Sequence, residues 1–148
     1  MNNATTGARR WHFALAGLLL TVAGAAQAGP VLQLTATPGL QAGPVRDGTL
    51  LMRGRVISND PHGGFRLWCT ADAAGGSSAS CVLTGQRAAG NTLRVRLSGE
   101  GWQPGTPPEG GMMTITAERS VAFRIEADGD QNAAADTWAM ALTAATTD

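Results

Sequence analysis

An all-β sandwich is the fold class this sequence predicts, and three observations carry the prediction. Apolar and polar residues alternate with a period of two in segment after segment. Clusters of Gly, Pro, Asn and Asp punctuate those segments at short intervals. No heptad, amphipathic helical stripe or internal repeat competes with that pattern. Many short strands divided by turn signals suit two packed antiparallel sheets.

The first 28 residues stand outside the sandwich. "MNNATTGARR" is polar and ends in Arg9 and Arg10, while "FALAGLLLTVAGAA" is apolar but too short to cross a bilayer as a helix. Ala26-Gln27-Ala28 then places small residues where a signal peptidase cuts. Residues 1–28 are therefore read as a secretory signal peptide. General export is preferred to the twin-arginine route, which Trp11-His12-Phe13 fits poorly. Residues 29–148 are expected to form a single domain. All eleven basic residues are arginine, against eleven acidic ones. Without Arg9 and Arg10 the mature chain has nine arginines against eleven acidic residues, a slightly acidic balance that gives no footprint for a nucleic-acid partner.

The elements follow in order. "VLQLTATPG" puts Leu32, Leu34 and Ala36 on one face and stops at Pro38-Gly39. "TLLMRGRVIS" groups Leu50, Met52 and Val56, and Gly54 within it signals a bulge or a close backbone approach. "NDPHGG" is a turn. "FRLWCT" alternates Phe65, Leu67 and Cys69 with Arg66, Trp68 and Thr70; beyond a glycine-serine tip, "SCVLTG" is expected to return antiparallel as a hairpin. Cys69 and Cys81 are the two cysteines of the chain, and an exported protein meets oxidising conditions. They are read as a disulfide staple at the base of that hairpin, worth about 3 kcal/mol by loop closure. "NTLRVRLSG" points Leu93, Val95 and Leu97 inward and Arg94 and Arg96 outward. "GEGWQPGTPPEGG" is all loop. "MMTITAERSVAFRIEAD" holds a short strand at 112–117 and a longer one at 120–127 with Val121, Phe123 and Ile125 inward. "DGDQNAAAD" turns into the last strand, where Trp138, Met140 and Leu142 alternate with small and polar residues.

Lettered in immunoglobulin order, these segments supply strands A (near 31), B (50), C (65), an extra strand (81), D (93), E (121) and F (138). No residues are left for strand G. The expectation is an incomplete immunoglobulin-like sandwich lacking strand G and completed by a donor strand. Its groove is bordered by Leu32 and Leu34 on one side and by Trp138, Met140 and Leu142 on the other. Each such side chain left in water forgoes about 1.5–3 kcal/mol, a serious loss beside the roughly 5–15 kcal/mol that holds a typical domain.

The remaining motifs carry little chemistry. His62 is the single histidine of residues 29–148 and sits in a glycine-flanked turn, with no G-x-S-x-G around any serine. It is read as a turn residue bonding to backbone, and one histidine does not make a zinc site. Asp128, Asp130 and Asn132 have the spacing that opens a calcium loop, but Ala133 and Ala139 stand where glycine and glutamate are required. No enzyme activity, catalytic residue, metal or cofactor is expected. Arg66, Arg94, Arg96 and Arg124 fall on outward phases and either solvate a face or gather for an anionic partner. Trp102, in the long loop, either plugs the end of the sandwich or is displayed to a receptor. Trp102, Arg94 and Arg96 are the candidate receptor contacts.

Five stretches together carry a resemblance: "VRDG" (45–48), "GRVI" (54–57), "HGGFRLW" (62–68), "LRVRLSGEGW" (93–102) and "ADGDQ" (127–131). In order and spacing, across essentially the whole mature chain, they resemble the invasin-type minor subunits of chaperone-usher fimbriae, the Afa and Dr invasins and a Salmonella atypical fimbrial relative. The resemblance implies a subunit displayed at the fibre tip for host-cell adhesion or invasion. Its implied partners are a periplasmic chaperone, an outer-membrane usher, the donor strand of an adjacent major pilin and a host-cell surface receptor. One feature departs from the pattern. The relatives pair a cysteine near strand B with one near the C-terminus, where this chain has Ile57 and a cysteine-free tail. Cys69–Cys81 would be a local replacement. Only Gly29 and Pro30 precede strand A once a signal peptide is removed, so the subunit is expected to accept a strand and donate none. The alternative is a free-standing secreted β-sandwich that binds carbohydrate or protein, closed by residues 144–148 or by self-pairing.

Overall fold

The computed structural model describes residues 6–14, 21–23, 29–69, 79–106 and 110–148. Among them every regular element is a strand: β1 (Thr6–Ala14), β2 (Thr21–Ala23), β3 (Val31–Ala36), β4 (Gly43–Val45), β5 (Leu50–Ile57), β6 (Gly64–Cys69), β7 (Ser80–Thr84), β8 (Thr92–Ser98), β9 (Gln103–Pro104), β10 (Met112–Ile115), β11 (Ser120–Ala127), β12 (Gln131–Ala133) and β13 (Thr137–Thr147). One sheet runs β3-β5-β11-β8-β7, which is the A-B-E-D order of an immunoglobulin sandwich with β7 added beyond D. The other runs β2-β1-β13-β6-β10-β9, in which β13 is F and β6 is C. A third pairing joins β12 to β4.

Alternation in sequence becomes burial between the sheets. Leu32 and Leu34 of β3, Phe65 and Leu67 of β6, Leu93, Val95 and Leu97 of β8, and Phe123 and Ile125 of β11 all enter one core. The intervening Gln33, Arg94, Ala122 and Arg124 stay exposed. Fully burying one such side chain stabilises by about 1.5–3 kcal/mol. That gain is why the period of two, and not individual propensities, fixes which face of each strand turns inward.

Four details differ from the sequence expectation. In β5 the buried leucine is Leu51, not Leu50, because the pairing with β11 slips one residue between Ile125↔Met52 and Glu126↔Leu50. Such a bulge turns two successive residues toward one partner and resets the inward phase. Gly54 is the close approach rather than the bulge: it lies opposite Phe123, whose ring fills the space a Cβ would take.

The second difference concerns β7. It pairs with β8, Cys81 opposite Val95, and so belongs to the sheet facing β6 rather than to a hairpin with it. The Cys69–Cys81 disulfide, with Cα atoms 6.2 Å apart, therefore ties one sheet to the other. The inward phase of β7 carries Cys81 and Leu83 into the core shared with β6, which explains why the cysteines meet across the layers. The glycine-serine tip and Thr70 lie outside the described residues.

Third, two segments read as loops contain short strands. Gln103–Pro104 pairs with β10, and Gln131–Ala133 pairs with Gly43–Val45. Fourth, His62 does not bond to backbone. Its ring packs on Phe65 at a centroid distance of 4.4 Å, and neither ring nitrogen has a hydrogen-bond partner among the described residues.

Candidate functional site

The site is built around β13. On one side β6 pairs with its second half, Leu142↔Cys69 through Thr147↔Gly64. On the other side β1 runs antiparallel to it for nine residues, from Thr6↔Ala145 to Ala14↔Thr137. Beside F in an immunoglobulin sandwich is the place of strand G. Here it is held by residues 6–14, which fall inside the stretch read as a signal peptide. The slot is therefore filled in the whole chain, a pairing no sequence signal announced. Among the described residues of 29–148, none takes that place.

The five groove residues share one core. Leu32 and Leu34 come from β3, and Trp138, Met140 and Leu142 from β13; each is at most 6% exposed in the full chain. Their alternation puts all three β13 side chains on the core face, so the edge that β1 covers and the apolar surface coincide. The C-terminal residues do not fold back to cover that edge. Ala144, Ala145 and Thr146 are buried and extend β13 against β6, and the Gly63 amide donates to the Thr147 carbonyl at 2.6 Å. In the whole chain, then, residues 144–147 serve as the end of β13 and do not close the slot.

Asp136 fixes where β13 starts. The carboxylate is buried and accepts from the amides of Arg87 (2.8 Å), Ala88 (3.4 Å) and Thr137 (2.7 Å) and from Asn91 Nδ2 (3.0 Å). Burial pushes its pKa up, but the Asn91 side chain and the three amides outweigh that and hold it down at about 2. Gly85 packs so close to the carboxylate that a Cβ would collide with it. The residue escapes sequence reading because an aspartate before a strand looks like any turn residue.

The candidate receptor contacts are held by other regions of the fold. Arg96 meets Asp47 at 2.6 Å, Glu126 at 3.3 Å and Asp128 at 3.5 Å. The Gly129 amide and then Arg96 lower the pKa of Asp47, whose side chain thus ties the 46–49 turn to the 128–130 turn. Arg94 donates to the Asp128 carbonyl at 3.3 Å. Asp130 accepts the Asp47 amide, and Asn132 lies in β12, so the calcium-like spacing belongs to this turn network. Trp102 packs half-buried, its Nε1 donating to the Ala122 carbonyl at 2.9 Å and its ring edge-on to Phe123 at 6.4 Å. Arg66 lies in the other sheet, 6.0 Å over the Trp68 ring, and donates to the Thr106 carbonyl. Sequence reading overlooked Arg53 and Arg55, although the outward phase of "MRGRV" carried the signal.

Residues 41–144 match the family described as Enterobacteria AfaD invasin protein. The chain belongs to the AfaD invasin family. Protein AfaD of Escherichia coli is 32% identical over 119 residues, which cover 79% of this chain and 78% of that relative. The crystal structure of the Salmonella SafD adhesin superimposes with a TM-score of 0.74 at 35% identity, over 80% of this chain and 85% of that one. The minor tip subunit HdaB of the E. coli Hda pilus shares the fold, with a TM-score of 0.73 at 24% identity over 82% and 85% of the two chains. The A-B-E-D and C-F sheets are thus the AfaD family's immunoglobulin-like domain without its last strand. Membership makes the chain a fimbrial adhesin or invasin.

Proposed function

We propose that this AfaD-family chain is the tip subunit of a chaperone-usher fimbria, exported through the periplasm to the cell surface. There it mediates host-cell adhesion or invasion and receives its missing strand from the neighbouring pilin. One observation supports this above the rest: the side of β13 away from β6 is covered by Thr6–Ala14, upstream of the expected cleavage after Ala28. Cleavage removes that cover and opens an apolar slot between β13 and β3. An incoming strand then satisfies the edge through main-chain pairing and fills the slot with alternate side chains. A periplasmic chaperone occupies it first, and the usher exchanges chaperone for pilin.

The same cleavage leaves Gly29 and Pro30 ahead of β3, too little to reach a second subunit. An acceptor without a donor segment ends a head-to-tail assembly. The test is to express residues 29–148 in the periplasm with and without the cognate chaperone, then titrate the N-terminal peptide of the adjacent pilin while following thermal unfolding. The expected result is a large rise in Tm; a stable monomer with no response to peptide overturns the reading.

The β1–β13 pairing also supports a second reading, a free-standing binding module for carbohydrate or protein that keeps residues 6–14 as its own seventh strand. Mass spectrometry of the exported protein separates the two. An N-terminus at Gly29 supports the fimbrial subunit, and a retained residue 6–14 segment supports the module.

A further inference from the structure

The outer face of the β3-β5-β11 sheet carries a cleft of about 680 Å³ that shares none of the five groove residues. Gln33 and Thr35 of β3, Arg53 and Arg55 of β5 and Arg124 of β11 line it, with Glu100 as its one acidic member. The register explains how they gather. Thr35 pairs with Arg53, and Arg53 with Arg124, in one row across the three strands; Gln33 pairs with Arg55 in the next outward row. Gly54 and Phe123 lie buried beneath, so the floor is strand backbone.

The folded structure neutralises only part of this charge. Like charges directly opposite on an exposed sheet face destabilise it, and Arg53 faces Arg124 in that way. Arg124 is relieved by Glu126 at 3.2 Å, but Glu126 also serves Arg96. Arg55 donates to Ser120 Oγ, a neutral partner, at 2.6 Å. The Arg53 side chain has no hydrogen bond or ion pair among the described residues. Arg96 on the same sheet shows the contrast, with three carboxylates within 3.5 Å. A local rule broken with only partial structural compensation marks a place to look for function.

We propose that this cleft binds an anionic saccharide bearing sulfate or carboxylate groups. Guanidinium forks match both oxyanions with paired charge-assisted hydrogen bonds. The Gln33 amide and Thr35 hydroxyl offer donors and acceptors to sugar hydroxyls. An acidic peptide fits less well, because protein contacts rely on aromatic or aliphatic anchors in desolvated pockets. The lining offers no such anchor: Phe123 is buried and Val121 half-buried. Exposed arginines in a polar cleft suit a hydrated ligand, and salt weakens such a contact. The site names a ligand class for the adhesin reading and rests on that reading for the ligand's presence at a host surface.

The experiment uses the donor-strand complex, whose melting is recorded first, and titrates it calorimetrically with a heparin hexasaccharide, polygalacturonate, neutral dextran and polyglutamate. Binding of the sulfated or the carboxylated saccharide but not of dextran, weakening with salt, is the expected result, and which of the two binds identifies the oxyanion. Arg53→Gln with Arg124→Gln should lower affinity by about tenfold or more while Tm holds or rises, since a repulsive pair is removed. Arg87→Gln, whose side chain lies outside the cleft, should bind as the parent does. Equal binding of dextran, tighter binding of polyglutamate, or an equal loss in Arg87→Gln overturns the proposal. A missing Tm response to the donor peptide counts against the assembly reading alone.

Discussion

Phe123 occupies the side-chain space of Gly54. The two residues are direct partners where β11 pairs with β5, and a Cβ added at Gly54 would clash with the phenyl ring. The aromatic ring and the glycine form one packing unit at the centre of the A-B-E sheet, with Phe123 2% exposed. Replacing Gly54 by Ala should therefore overpack the core and cost about 1–3 kcal/mol. Denaturant unfolding of the donor-strand complex measures it. Adding Phe123→Leu should recover some of the loss, and a coupling energy near zero in that double-mutant cycle would refute the packing unit.

Asp136 predicts an acid limit. Its pKa is depressed from an ordinary 3.8 to about 2 in the folded chain. A depressed carboxylate contributes stability that is fully present above its unfolded pKa and lost as pH falls through the folded one. The contribution should fade between about pH 4 and about pH 2. Asp136→Asn removes the charge and should lower Tm at pH 7, with the difference from the parent shrinking as pH drops toward 2. Melting curves across that range check both statements, and parallel curves would count against them.

The disulfide predicts a second loss. Cys69 lies in the C-F sheet and Cys81 in the A-B-E-D sheet, so the bridge limits how far the layers separate. Cys69→Ser with Cys81→Ser should cost about 3 kcal/mol on the loop-closure estimate. Because Cys81 is buried beside Val95, the pair Cys69→Ala with Cys81→Ala should lose less. Unfolding of both variants under oxidising conditions tests this ordering.

Long strands were legible because each spends four or more residues alternating against a core that admits one phase. Strands A to F follow from Leu32 and Leu34, Met52 and Val56, Phe65 and Leu67, Leu93 to Leu97, Phe123 and Ile125, and Trp138 to Leu142. What escaped had a physical reason. β4 and β9 contain Pro44 and Pro104, residues that argue against a ladder position and survive in short edge pairings. Cys81 fixed a covalent partner but not a sheet, since a disulfide is satisfied within a hairpin or across two layers. The Leu51 bulge depends on how β11 slides past β5, a fact of the partner strand that β5 does not encode.

The two halves of β13 should respond differently to a donor strand. Leu142–Thr147 pair with β6, so their ladder is anchored without any cover. Thr137–Ala141 pair with β1 alone along their length, save for the Gly85↔Trp138 bridge and the Gln86 amide on the Thr137 carbonyl. Cleavage after Ala28, as proposed, would take β1 away and leave the first half only the Gly85↔Trp138 bridge and the Gln86 contact, while the second keeps β6. Local opening follows from how many such bonds a segment retains. Amide exchange on residues 29–148, held by chaperone and then switched to a strand-G peptide, should show Leu142–Thr147 protected throughout. Protection of Thr137–Ala141 should depend on the added strand and fall most strongly at alternate residues, because an antiparallel partner bonds every second one. Equal protection of both halves in a strand-free monomer would show that β13 needs no partner, and with that the case for donated completion would end.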